Sequence, residues 1–203
     1  MIIKLISKSL LAIGIITLGC ALYTGFITIV SQTFFHDQAN GSLVMKKNQL
    51  YGSKLIAQPF SGNDYMWGRQ MNLIVGDISG NSKSQQIMYA TASQLSPNDL
   101  NYQKSVKQKA ATIQERNNQN SDQKVPIELL TNSGSGLDPE ISPAAARYQV
   151  KRIAQARNVS EQEVSKVIEK NTKPRTLGIL GESRVNVLAV NLDLDKLTHT
   201  NHQ

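Results

Sequence analysis

Acid–base, nucleophilic and metal chemistry all need titratable side chains brought together, and this sequence offers few. Its three histidines, His36, His199 and His202, stand apart from any serine or cysteine that one of them would activate, and the single cysteine is Cys20. No cluster of His, Cys and carboxylate residues has metal-ligand spacing. The phosphate-binding loop G-x-x-x-x-G-K-[ST] is absent as well. One constellation remains: Thr131-Asn132-Ser133-Gly134-Ser135-Gly136-Leu137-Asp138-Pro139, just ahead of a helix start. Its small residues would expose backbone N–H groups as an anion nest, with Ser133, Gly134, Ser135 and Gly136 as the candidates and Arg147 as a nearby cation. The same residues also make a flexible turn in which Asp138-Pro139 sets up the helix cap.

The elements that must position this loop are legible on its C-terminal side. Residues 125–130 read as a strand leading into it. Ser142 reads as an N-cap with Pro143 at the first helical position. Ala146, Val150, Ile153 and Ala154 then form a buried stripe, while Arg147, Lys151 and Gln155 face water. Ser160 and Glu163 make a capping box for a second helix carrying Val164, Val167 and Ile168. Leu188, Val190, Leu192 and Leu194 alternate with Ala189, Asn191 and Asp193, as in a strand with one buried face. Upstream, 42–47 and 50–58 read as two short strands around a turn. Residues 79–124 are polar and rich in Ser, Asn and Gln. Within them Ser96-Pro97 and Asp99 start a helix with a weak apolar face of Val106, Ala110 and Ile113. Helices and strands without a regular βαβ repeat predict an α+β domain over 31–203.

Before that domain lies a different kind of segment. Residues 10–30 carry no charge, and eleven of the twenty-one are Leu, Ile, Phe or Val. As a helix the run is ~31 Å long against a hydrocarbon core of ~30 Å. Those eleven residues contribute about −3 to −7 kcal/mol to insertion. A cleaved signal peptide would be shorter and would end in a small-residue site. A lipoprotein signal at Thr17-Leu18-Gly19-Cys20 would be followed by a polar tether, and ten mostly apolar residues follow instead. The run therefore reads as an uncleaved single-pass transmembrane helix. Lys4 and Lys8 precede it and Asp37 is the first charge after it. By the positive-inside rule residues 1–9 are cytoplasmic and the domain is outside. Gly14, Thr17, Ala21, Thr24 and Thr28 draw a small-residue stripe along the helix. Such a stripe suits close packing against a partner helix, and a lone helix in lipid tolerates it equally. Cys20 falls in the span, so the domain has no internal disulfide. The net charge of +7 is spread along the chain and aromatics are only 5%, which argues against a nucleic-acid surface.

At the glycine-rich loop the chain resembles a known family. The run from Thr131 through Gly134-Ser135-Gly136-Leu137-Asp138-Pro139-Glu140-Ile141-Ser142-Pro143-Ala144-Ala145 is similar to the signature of the potassium-transporting ATPase C chain, KdpC. The likeness continues at Gln149, Arg152 and Ile153-Ala154-Gln155-Ala156-Arg157. It returns over Leu177-Gly178-Ile179-Leu180-Gly181-Glu182-Ser183-Arg184-Val185-Asn186-Val187-Leu188 and ends near 191–195. Upstream, Gly52-Ser53-Lys54-Leu55-Ile56-Ala57-Gln58, Phe60, Tyr65 and Arg69 also look like family positions. The pattern departs after Arg69, where Gln70-Met71-Asn72 replaces the usual Pro-Ser-Ala and the 70–84 stretch is atypical.

The resemblance implies a bacterial plasma-membrane pump of several chains. One is a channel-like potassium-binding subunit, one a P-type ATP-hydrolysing subunit, and this chain is their small accessory. It lacks the Asp-Lys-Thr-Gly-Thr phosphorylation sequence, so it is not an enzyme by itself. The family is described as a catalytic chaperone that raises ATP affinity in a shared complex, with no tightly bound cofactor, and Gln149 matches the glutamine placed on the nucleotide. An external domain conflicts with that role because ATP is cytoplasmic; there the chain would instead brace the complex and cover the ion entrance. A membrane-tethered binding protein unrelated to transport is the alternative from another class.

Overall fold

The computed structural model describes residues 2–46, 49–77, 86–117 and 124–200. A helix of 33 residues, α1 (Ile2–Phe34), opens the chain. It extends past the expected 10–30 span at both ends and takes in residues 2–9. At ~1.5 Å per residue it is ~50 Å long, so apolar length suffices with turns to spare. Its most apolar window has a mean hydropathy of 2.1 and none of its side chains is buried. Ser7, Ser9, Thr28 and Thr33 donate their hydroxyls to carbonyls four residues back, a bond that satisfies the group without water. A single turn, α2 (His36–Ala39), follows.

Residues Met1–Val44 form one compact unit and Met45–Gln203 another. The division falls inside β1 (Leu43–Lys46), which pairs with β2 (Gln49–Ser53). The strand expected over 50–58 stops at Ser53, whose hydroxyl accepts from the Leu55 N–H at 3.1 Å and turns the chain. β3 (Leu73–Asp77) and β4 (Gln86–Ala90) are antiparallel, with Leu73 opposite Ala90. β4 lies inside the polar stretch where no strand was expected; residues 78–85 and 118–123 of that region are outside the described ones. α3 (Leu100–Asn117) begins where Asp99 accepts from the Tyr102 N–H at 2.9 Å, and Ile113 is buried with Val106 and Ala110 beside it, as expected.

Two expected strands are helical. Over 125–130 the chain makes a short 3-10 turn (Ile127–Leu129) after Pro126. Pro126 has no N–H to give a ladder, and the Leu129 and Leu130 N–H groups bond back to the Pro126 and Ile127 carbonyls, both at 3.0 Å, which closes the turn and leaves both leucines buried. The second is α7 (Val187–Thr200), which replaces the expected strand. Asn186 caps it by accepting from the Ala189 N–H at 3.0 Å. The buried positions Val187, Val190, Asn191 and Leu194 follow helical spacing, which the apparent alternation of Leu188 to Leu194 concealed.

The caps and helices expected after Ser142 are present, with a break at Gln149, and they are joined by a small sheet that was not expected. Ser142 caps α4 (Pro143–Tyr148) by accepting from Ala145 N–H at 3.2 Å. Gln149 separates α4 from α5 (Val150–Arg157), which ends on Asn158 in the left-handed region. The Ser160–Glu163 capping box opens α6 (Glu161–Lys170). β5 (Glu140–Ile141), β7 (Arg184–Asn186) and β6 (Thr172–Lys173) form an antiparallel sheet in the order β5–β7–β6. Ile141, Val185, Ala145, Ile153, Val164, Ile168, Val190 and Leu194 make the core between sheet and helices. This is an α+β domain.

Candidate functional site

The segment 62–69 has no regular structure, yet Met66 and Trp67 within it are buried, Met66 fully. Buried backbone without a strand or helix partner must find side chains. Two amides supply them. Asn191 of α7 accepts from the Met66 N–H at 2.7 Å and donates to its carbonyl at 3.0 Å. Gln149 treats Trp67 alike, accepting from its N–H at 2.8 Å and donating to its carbonyl at 3.0 Å. Each amide thus imitates a neighbouring strand.

Arg152, one turn on from Gln149, completes this polar centre. Its guanidinium donates to Gln149 Oε1 at 2.7 Å and Asn117 Oδ1 at 3.1 Å, and to the carbonyls of Gly62, Asn63 and Tyr65. It also lies 3.6 Å from the Trp67 ring centroid, a close cation–π contact. Burial holds its pKa down at about 9, with Asp64 pulling it up and Arg116 pushing it down. Even so it stays charged at neutral pH, and its donors are matched by acceptors. Arg157 fixes the other edge through Asp195 at 2.9 Å and the Tyr65 ring.

The structure places Gln149 at 0% exposure, with both lone pairs of Oε1 and both Nε2 hydrogens engaged; the fourth bond goes to the Ala145 carbonyl at 3.2 Å. Of the loop residues, Ser133 is buried and accepts from the Asp138 N–H at 3.4 Å. Ser135 accepts from the Leu137 N–H at 3.2 Å, and Gly136 donates to the Ser133 carbonyl at 3.2 Å. These N–H groups turn into the loop. Outside it, Leu137 and Gly136 carbonyls accept from Ala57 and Asn72, while Arg69 pairs with Asp138 at 3.3 Å. Gly136 has φ +73°, and a Cβ there would meet the Thr91 carbonyl at 2.5 Å. Gly134 faces open space. Ser133, Gly134, Ser135 and Gly136 therefore share one loop, whereas Gln149 belongs to the enclosed centre.

A groove of about 530 Å³ opens beside that centre, between α3 and the 58–71 segment. Phe60 and Trp67 line it with Arg69, Lys109 and Arg116, and no carboxylate is among its described lining residues. Arg116 reaches the Ser61 carbonyl at 3.5 Å and stands 5.8 Å from the Trp67 ring. Three cations, two aromatic rings and neutral amides suit a small organic anion. Sequence reasoning named neither this groove nor the roles of Trp67, Asn117 and Asn191. The available signal was polar residues at helical spacing on an apolar stripe: Ala145, Gln149 and Arg152 share a face. On α1 the stripe Gly14, Thr17, Ala21, Thr24 and Thr28 is exposed throughout, and Thr28 bonds back to Thr24 at 2.8 Å. His36 sits on α2, apart from the domain's polar centre in sequence, and His202 lies outside the described residues.

Comparison with known proteins matches residues 6–196 to the family model "KdpC: K+-transporting ATPase, c chain". A protein of Clostridium perfringens named potassium-transporting ATPase KdpC subunit is 45% identical over 95% of this chain and 97% of its own length. Relatives of the same name from Clostridium botulinum and Paraburkholderia phymatum are 42% and 40% identical, over 93% and 85% of this chain and 94% and 86% of theirs. A match spanning the helix and the domain alike, at this identity, leaves one assignment: the chain belongs to the KdpC family, the c chain of potassium-transporting ATPases.

Proposed function

We propose that this subunit serves the assembly and turnover of its pump as a brace, and that residues 133–149 hold its own fold together rather than ATP. Its partners in this reading are a channel-like potassium-binding subunit and a P-type ATP-hydrolysing subunit, held in the same bacterial plasma membrane. The observation that carries the reading is the saturated Gln149 side chain, which a nucleotide could reach only by displacing Trp67 or Arg152. The N–H groups of Gly136, Leu137 and Asp138, which bond within the loop, support it too. So does the charge pattern around the span, with Lys4 and Lys8 before and Asp37 after, which favours a domain outside the cytoplasm.

The second reading is a catalytic chaperone that raises the ATP affinity of the hydrolysing subunit. What favours it is the groove, with Arg69, Lys109 and Arg116 around Trp67 and Phe60. One set of measurements separates the two. In a Cys20→Ala background, Asn98→Cys on the exposed turn before α3 is treated with an impermeant thiol reagent in intact cells. The brace reading expects labelling before lysis, loss of potassium-stimulated ATP hydrolysis when the chain is deleted, and an unchanged KM for ATP in the Lys109→Ala/Arg116→Ala pump. Labelling only after lysis, with KM raised about tenfold, would replace it by the chaperone reading.

A further inference from the structure

Between β6 and β7 the chain makes a tight loop, 174–183, that contributes nothing to the core. Leu177, Ile179 and Leu180 sit on it at 85%, 76% and 57% exposure. The loop is nonetheless rigidly built. Thr176 and Leu180 exchange both backbone hydrogen bonds, at 2.8 and 2.9 Å, and Gly178 and Ile179 donate to the Arg175 and Thr176 carbonyls. Beneath them Arg175 clamps both carboxylate oxygens of Glu182 at 2.8 and 2.7 Å. Leu177 is held at φ +54°, a left-handed conformation rare for any residue but glycine, asparagine or aspartate. Apolar side chains fixed in a strained shape and given to solvent are explained when a formed pocket receives them.

The chemistry around the tip selects the kind of receiver. A lipid surface attracts unpaired lysines and arginines with tryptophan or tyrosine beside them. Here Arg175 is paired with Glu182 and Arg184 with Glu140, no aromatic residue lies within 174–183, and Lys173 is the one cation flanking the loop outside an ion pair among the described residues. A free-standing dimer needs roughly 800 Å² from each partner, well beyond what three aliphatic side chains supply, so the tip alone does not pair two copies in solution. A small contact suffices when both chains are already anchored in one bilayer, because the effective concentration is then high. α1 offers such an anchor, and the family places the chain in a pump with other subunits.

We propose that loop 174–183 is a preformed prong whose Leu177, Ile179 and Leu180 seat in an apolar pocket of another subunit of the same pump. The inference rests on family membership and is independent of either reading of nucleotide contact. A photo-crosslinking amino acid at Ile179, in a tagged chain expressed with the whole pump, tests it directly. A light-dependent adduct with another pump subunit is expected. An adduct only with lipid, only with a second copy of the chain, or with nothing overturns the proposal. In parallel, Ile179→Ser/Leu180→Ser should weaken retention of the other subunits in mild detergent, by roughly tenfold per side chain removed. Leu177→Asn keeps a residue that tolerates the left-handed backbone while removing the apolar group, and should lower retention too. Far-ultraviolet circular dichroism checks that each variant is folded; folded variants that retain partners at the unsubstituted level overturn the proposal as surely as the wrong adduct.

Discussion

Replacing Gln149 by leucine conserves bulk and removes four hydrogen bonds from a fully enclosed position. The Trp67 N–H and carbonyl lose the partner that stood in for a strand, and one Arg152 N–H loses its acceptor. Each orphaned buried group costs about 1–3 kcal/mol, so Gln149→Leu should destabilise the domain by about 3–9 kcal/mol. Typical domains are stable by only ~5–15 kcal/mol, so much of the population should unfold. Gln149→Glu is the informative companion. It keeps an acceptor for Trp67 N–H and Arg152, but sets an oxygen against the Trp67 and Ala145 carbonyls, with an expected loss of about 2–5 kcal/mol. Urea unfolding of the full chain in mild detergent, followed by circular dichroism, should rank the midpoints wild type, then Glu, then Leu. A Leu variant with an unchanged midpoint and a pump with weakened ATP affinity would refute the reasoning, because the side chain would then act outside its own fold.

Two further outcomes follow from the same geometry. Gly136→Ala should cost about 1–3 kcal/mol, because φ is +73° and the new Cβ would meet backbone at the Thr91 carbonyl, whereas Gly134→Ala, facing open space, should stay within about 0.5 kcal/mol in the same unfolding assay. The carboxyl of Asp193 is pushed up by burial but pulled down further by Lys196, Lys170 and Asn171, to about 2. A folded-state value below the unfolded one contributes stability above about pH 4 that is lost as pH falls toward 2; with both lysines exposed, about 1–2 kcal/mol should disappear over that window, and Asp193→Asn should abolish that part of the acid dependence.

How much of this was legible in the sequence depended on where each signal was local. Helix caps are short-range, and Ser142, Ser160 with Glu163, and Asp99 announced α4, α6 and α3 correctly. The apolar stripe Ala146, Val150, Ile153 and Ala154 was equally plain. α7 was misread because Leu188, Val190, Leu192 and Leu194 alternate as in a strand, whereas the helical face of Val187, Val190, Asn191 and Leu194 emerges only when Asn191 is counted as buried, and an asparagine is not counted as core until its partner is known. That partner, Met66, lies 125 residues away. The polar centre was hidden for the same reason. Gln149, Arg152 and Asn117 look like surface residues until an irregular segment far upstream presents its bare backbone to them. The loop of small residues was found, but its direction was not, since whether N–H groups face in or out is decided by Asn72, Ala57 and Thr91 in distant segments.

Trp67 is the chain's single tryptophan, and its position makes it an optical reporter of two separate events. Its indole is almost enclosed, stacked on Arg152, with its Nε1–H given to the Gly62 carbonyl at 2.8 Å, while part of the ring lines the groove beside Arg116. Unfolding strips away the guanidinium and admits water, which moves indole fluorescence to longer wavelength. An anion entering the groove would draw Arg116 about and change the intensity while the ring stayed dry and the wavelength held. One emission spectrum therefore distinguishes a loosened brace from an occupied groove, with no label added to the molecule.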